Sequence, residues 1–148
     1  MNNVEKSVAF FNQGYNCAQS ILATFGPQLG LDEKTALKIA CGFGGGMGRQ
    51  GNTCGAVSGA YMVLGLKYGF TDAKNTDAKE KIYRHVQEFA GLFRARNKTT
   101  RCNDLLGHDI SSPEERQIMA DKNLFGTLCP GFVKDAAEIL QQLLDDTV

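Results

Sequence analysis

Between residues 42 and 51 the chain reads GFGGGMGRQG, six glycines in ten positions. No such segment can form the interior of a stable helix or strand, because glycine loses the most backbone freedom on ordering and brings no side chain to bury. The run therefore divides the chain. Before it, Asp32 is a candidate N-cap, and Ala36, Leu37, Ala40 and Cys41 recur behind it at helical spacing. After it, Asn52 or Thr53 caps a predicted apolar helix over residues 54–68, in which Gly55 and Gly59, like Ala56 and Ala60, fall four apart and share one face. Small residues at that spacing let another backbone come close, within the chain or across a homodimer.

The rest of the chain is read the same way. Residues 4–11 form a short amphipathic stretch, broken at Gly14-Tyr15-Asn16, and Asn16 caps a second stretch over 17–25 that Gly26-Pro27 stops. A polar link over 72–77 precedes a long helix over 79–96, with Ile82, Val86, Phe89, Leu92 and Phe93 inward. A short turn covers 102–106. Ser112-Pro113-Glu114-Glu115 opens another helix, with proline at the first position and carboxylates in the first turn. A last helix is expected after Cys129-Pro130, with Phe132, Val133, Ala136, Ala137, Leu140, Leu143 and Leu144 inward. Period-two alternation is nowhere sustained, so the fold class is all-α.

At 148 residues, 43% of them apolar, the chain fits a single domain over 1–148. Lys+Arg and Asp+Glu balance at 16 each, which points away from nucleic acid. The first residues carry Glu5 and Lys6 and no secretory h-region. The most apolar window, residues 55–66, is well short of the roughly twenty residues of a membrane span. A cytoplasmic protein without membrane insertion is expected.

Five cysteines in such a chain point to redox, metal-binding or buried thiols rather than to a structural disulfide set. Cys17, Cys41, Cys54, Cys102 and Cys129 include no C-x-x-C pair. Four of them, Cys17, Cys54, Cys102 and Cys129, sit where a helix is expected to start, the last because Pro130 reads as a first-turn proline. Free N–H groups and the helix dipole favour a thiolate there, which redox and metal chemistry both require. Cys41 falls on the Ala36–Ala40 stripe near a helix end and reads as a core residue.

These elements resemble a family of redox-active proteins named for its signature, C_GCAxxG_C_C. The matching residues are Gly14-Tyr15-Asn16-Cys17-Ala18, the glycine run, Cys54-Gly55-Ala56-Val57-Ser58-Gly59, Cys102 ahead of Asp104-Leu105-Leu106, and Cys129. The resemblance implies four functional cysteines, Cys17, Cys54, Cys102 and Cys129, and leaves Cys41 outside. A related domain in a split-Soret type cytochrome is similar and carries an iron–sulfur site, which keeps a cluster or another soft metal on the same four thiols as an alternative. The C-x-x-C-H haem motif is absent.

Gly46 to Gly51 also fits G-x-G-x-x-G, but a dinucleotide site needs a preceding strand and a βαβ unit, and the preceding residues have helical spacing. A milder reading has the glycine N–H groups and Arg49 holding an anion or polar substrate beside Cys54; equally, the glycines serve only close packing. His108, six residues past Cys102, is a better candidate base or fourth ligand than His85. Arg94, Arg96, Lys98 and Arg101 cap a helix end and could depress the Cys102 pKa. Three functions follow: thiol/disulfide exchange among the four cysteines with Cys54 attacking, soft-metal or iron–sulfur binding for electron transfer, or buried inert thiols. The redox partner is unspecified.

Overall fold

The structure, a computed structural model, describes residues 1–146. The last two positions of the domain span expected from the sequence lie outside the described residues. The described chain forms eight α-helices and no named strand: α1 (Asn3–Asn12), α2 (Cys17–Phe25), α3 (Glu33–Ala40), α4 (Gly55–Tyr68), α5 (Thr76–Asn97), α6 (Cys102–Leu106), α7 (Pro113–Asp121) and α8 (Leu124–Asp145). The all-α expectation is met.

Helix starts follow side-chain chemistry. Asn16 Oδ1 accepts from the Gln19 N–H at 2.9 Å, and Gln19 Oε1 accepts from the Asn16 N–H at 3.1 Å, a reciprocal box that fixes the start of α2. Asp32 and Ser112 cap α3 and α7 as expected. Helix α5 begins at Thr76, three residues before the predicted start, because the Asn75 side chain accepts from the Ala78 N–H. The first turn of α5 is therefore made from residues that look like a polar link.

Helix α8 departs further from expectation. It begins at Leu124 and takes Pro130 into its interior, so Cys129 lies in its second turn instead of at its start. Leu124 and Phe125 pack against a buried cluster that includes Cys129, which offsets the backbone hydrogen bond that proline removes.

Helix α2 is central, with seven of its nine residues buried. It packs against α4, α1 and α3, while α8 closes the bundle against α1 and α4. The buried hydroxyls of Ser20 and Thr24 return hydrogen bonds to the carbonyls of Asn16 (2.7 Å) and Ser20 (2.8 Å), so they enter the core satisfied. The glycine face of α4 meets α2: a Cβ at Gly55 would lie 2.9 Å from Ala18 N, and one at Gly59 would lie 3.0 Å from Ala18 O. The close approach read from the small residues is made within the chain.

Two apolar clusters result. The larger is centred on α2, α4, α5 and α8; the smaller gathers Cys102, Leu106, Ile110, Met119 and Cys129. Phe11, Cys17 and Phe132 pack against both.

Candidate functional site: a cavity lined by five thiols

The glycine run builds one wall of the site by reversing the hand of the backbone. Gly45 (φ 66°), Gly46 (65°), Met47 (70°), Gly48 (62°) and Arg49 (65°) are consecutive residues in the left-handed region. For residues with a Cβ that conformation costs roughly 1 kcal/mol or more each, which explains the glycines at three of the five positions. The turn is braced by N–H donation from Arg49 to the Gly44 carbonyl (3.2 Å), from Gly51 to Gly45 (3.2 Å) and from Asn52 to Gly46 (2.9 Å). The segment after it is stitched to the start of α6: the Cys102 N–H donates to the Asn52 carbonyl at 2.6 Å and the Cys54 N–H to the Thr100 carbonyl at 2.8 Å. A single antiparallel bridge pairs Thr53 with Arg101. Cys54 and Cys102 are thereby brought to the same place from positions 48 apart in the chain.

A cavity of about 590 Å³ opens beside this turn, and Cys17, Cys41, Cys54, Cys102 and Cys129 all line it. The four thiols read from the sequence share one cavity wall. All five are free; none is at disulfide distance, and one pair stands 4.5 Å apart. Cys54, Cys102 and Cys129 are buried, whereas Cys17 is partly exposed. Cys41 is exposed rather than part of the core: α3 ends at Ala40, and the tighter 3₁₀ turn over Cys41–Phe43 carries Cys41 off the buried face of Ala36 and Ala40.

The thiols differ in acidity. Cys54 falls below the ordinary 9.0, chiefly through its hydrogen bond with Cys17, helped by the Ala56 and Val57 N–H groups at the start of α4 and opposed by burial. Cys54 is the N-cap residue of α4, and no side-chain hydrogen bond caps that helix, so the N–H groups of its first turn are left without a side-chain acceptor. Cys17 is pushed well above 9.0 by hydrogen bonds with Cys129 and Cys54, by burial, and by the charges of both neighbours. Burial raises Cys102 to about 12, and Arg101 opposes this only weakly. The expectation of four activated thiolates at helix starts is thus corrected. It holds for Cys54; Cys17 and Cys102 are favoured as thiols, and Cys129 is not at a helix start.

The basic cluster does not activate Cys102. Arg96 pairs with Asp135 at 3.2 Å and Glu138 at 3.5 Å, and Arg101 pairs with Asp104 at 3.3 Å. Neither histidine lines the cavity. His108 Nδ1 faces Glu115 at 3.5 Å, and His85 stacks on Tyr68 with ring centroids 4.0 Å apart. The expected role of His108 as base or ligand is not supported by this placement. Tyr15, Asn16 and Cys41 line the cavity, a role the sequence reading did not give them. Their one visible signal was proximity in the chain to Cys17 or to the glycine run.

An iron–sulfur cluster needs several thiolates gathered around one point. Among the described residues no group of three His, Cys, Asp or Glu side chains is spaced to hold a metal ion. No helix among them is long and apolar enough to cross a membrane.

A helical protein whose thiols meet in one cavity beside a glycine turn belongs to the class of cysteine-based redox candidates. The family described as "Putative redox-active protein (C_GCAxxG_C_C)" matches residues 15–143, and the chain belongs to that family. No curated protein and no solved structure matches it.

Proposed function

We propose that the protein exchanges thiol and disulfide states in this cavity, with Cys54 as the attacking thiolate and Cys17 as the resolving thiol. The observation that carries the reading is placement: Cys54 stands at the start of α4 on the wall of a cavity that Cys17, Cys102 and Cys129 also line. Free N–H groups at a helix start favour the thiolate that a nucleophile needs, and a second thiol on the same wall is what a resolving partner needs.

In the reducing direction the Cys54 thiolate attacks one sulfur of a disulfide substrate. A mixed disulfide forms, the substrate S–S bond breaks, and one substrate thiolate leaves and takes up a proton. Cys17 then loses its proton and its sulfur attacks Cys54, closing a Cys17–Cys54 bridge and releasing the second substrate thiolate. The substrate gains two electrons, both from the protein pair, and two protons, one given up by Cys17 and one taken from solvent. Cys129, on the same cavity wall, is the next thiol to which the bridge can pass, and Cys102 completes the set. Free thiols suit a reducing compartment, and this reading puts the protein in the cytoplasm with a thiol or disulfide partner.

The test is made on protein purified without oxygen. A colourless protein whose free-thiol count rises by two or more when its oxidised form is reduced, and whose Cys54→Ser variant loses reaction with disulfides, supports the reading. Charge-transfer bands with stoichiometric iron and sulfide would replace it with cluster binding. Thiols that stay unreactive in the folded protein would reduce the cavity to a structural feature.

A further inference from the structure

The cavity has one cationic side chain on its lining, Arg49, and no carboxylate. The remainder of its wall is thiol, glycine backbone, Tyr15, Asn16 and apolar side chains such as Phe11, Leu105 and Phe125. Among the described residues Arg49 makes no ion pair, and its guanidinium donates no hydrogen bond, whereas Arg96, Arg101 and Arg116 each have an acceptor. Nor is it spent on a sulfur: the charges that act on Cys17 and Cys102 come from other thiols and from Arg101.

The fold holds Arg49 in place at a conformational cost. It ends the left-handed run at φ 65°, and its stem crosses Gly45 so closely that a Cβ there would lie 3.0 Å from Arg49 Cγ. A shallow depression of about 380 Å³ adjoins the cavity, sharing Arg49 and Phe125 with it and adding Arg116, again with no carboxylate on its lining. The approach to the thiols is therefore positive, and the larger cavity falls within the size range of small-molecule sites.

We propose that the substrate of this site is a small disulfide bearing an anionic group, a carboxylate or another oxyanion, which seats on the Arg49 guanidinium while the substrate sulfur reaches Cys54. The proposal rests on the exchange reading above and names the substrate class for it. A guanidinium offers a planar pair of donors to a carboxylate, and a single cation at the mouth of an otherwise uncharged wall discriminates by sign of charge.

The experiment uses three alkyl disulfides of similar size: dithiodipropionate as the dianion, hydroxyethyl disulfide as the neutral compound and cystamine as the dication. Every protein carries Cys41→Ser, so that the exposed thiol does not report, and adducts on Cys54 are located by mass spectrometry. In Arg49→Ala the rate with the dianion is expected to fall about tenfold or more at low salt, while the neutral compound changes by less than about twofold. Arg49→Lys should recover part of the loss, Arg49→Glu should favour cystamine, and the dianion's advantage should shrink as salt is added. Equal changes for all three compounds, or none, would overturn the anionic-substrate assignment and leave thiol exchange standing. Failure of wild-type Cys54 to react with any of them would defeat both.

Discussion

In the larger cluster Ile21, Leu22, Phe89, Phe93 and Leu140 are at most 1% exposed and their surroundings are almost wholly hydrocarbon. In the smaller cluster two of the five buried residues are cysteines, and the cavity opens along its edge. Helices α1, α5 and α8 reach the first through one apolar face, whereas α2 and the first half of α4 are buried on nearly every side. The second is assembled from short pieces: a five-residue helix, the loop at Ile110, Met119 of α7 and the second turn of α8. The contrast shows how a small protein keeps thiols both shielded and usable. A tightly packed bundle fixes where α2, α4 and α8 sit, and the sulfurs are placed at its margin, where packing stops short.

The largest expected effect tests that division directly. Phe89→Ala removes a fully buried ring from the main core and should cost about 3–5 kcal/mol of unfolding free energy. Met119→Ala, equally buried but in the small cluster beside the cavity, should cost about 2 kcal/mol, because neighbours at an incompletely packed edge can relax into the space. Urea denaturation of both variants measures the difference. Equal costs would erase the distinction between a rigid core and a yielding margin.

Gly46→Ala should be next in size. The new Cβ would lie 2.6 Å from Asn52 N and 2.7 Å from Cys102 Cβ, at a residue with φ 65°. Handedness alone costs about 1–2 kcal/mol, and relief of the contacts must push the glycine turn away from Cys102. Slower reaction of Cys54 with a neutral disulfide, together with a lower denaturation midpoint, is expected. Loss of stability with unchanged Cys54 reactivity would show that the turn does not position the thiols.

The helices of the main core were largely legible in the sequence. Their caps are side chains with recognisable chemistry, Asn16, Asp32 and Ser112, and their inward faces follow 3.6-residue spacing. What failed did so where tertiary contacts outweigh local rules. Pro130 reads as a helix start, but anchoring of Leu124 and Phe125 extends α8 back past it. Cys102 reads as an activated thiol at a helix start, but burial of its sulfur is stronger than the field of a five-residue helix. That the four cysteines share one site is the assumption of the exchange and metal readings, not something local spacing carries; the left-handed run has no local signature beyond its glycines, since Met47 and Arg49 give no hint of a positive φ.

The same contrast predicts opposite pH responses within the cavity. Cys102 is raised to about 12, so the folded state holds its proton more tightly than the unfolded chain does. The stabilisation that follows is complete below the unfolded thiol pKa and fades as pH rises from about 9 toward 12. Cys102→Ala should flatten that alkaline decline in the denaturation midpoint. Cys54 is lowered, so its alkylation rate should climb with pH and level off at an inflection below 9.0. An inflection at or above 9.0 would remove the activation on which the role of Cys54 as nucleophile depends.

The smallest effect is expected at Cys41, which shares the cavity with the other thiols but none of their burial. Its carbonyl accepts from Asn16 Nδ2 at 3.0 Å, a bond that a side-chain change leaves intact. Cys41→Ser should therefore alter stability by less than about 0.5 kcal/mol. In the wild type, limiting iodoacetamide should modify Cys41 first and the buried Cys102 and Cys129 last, as peptide mapping would show. If Cys102 or Cys129 were labelled as fast as Cys41, the margin of the fold would open on the timescale of the reaction, and shielding of the thiols would be dynamic rather than built into the packing.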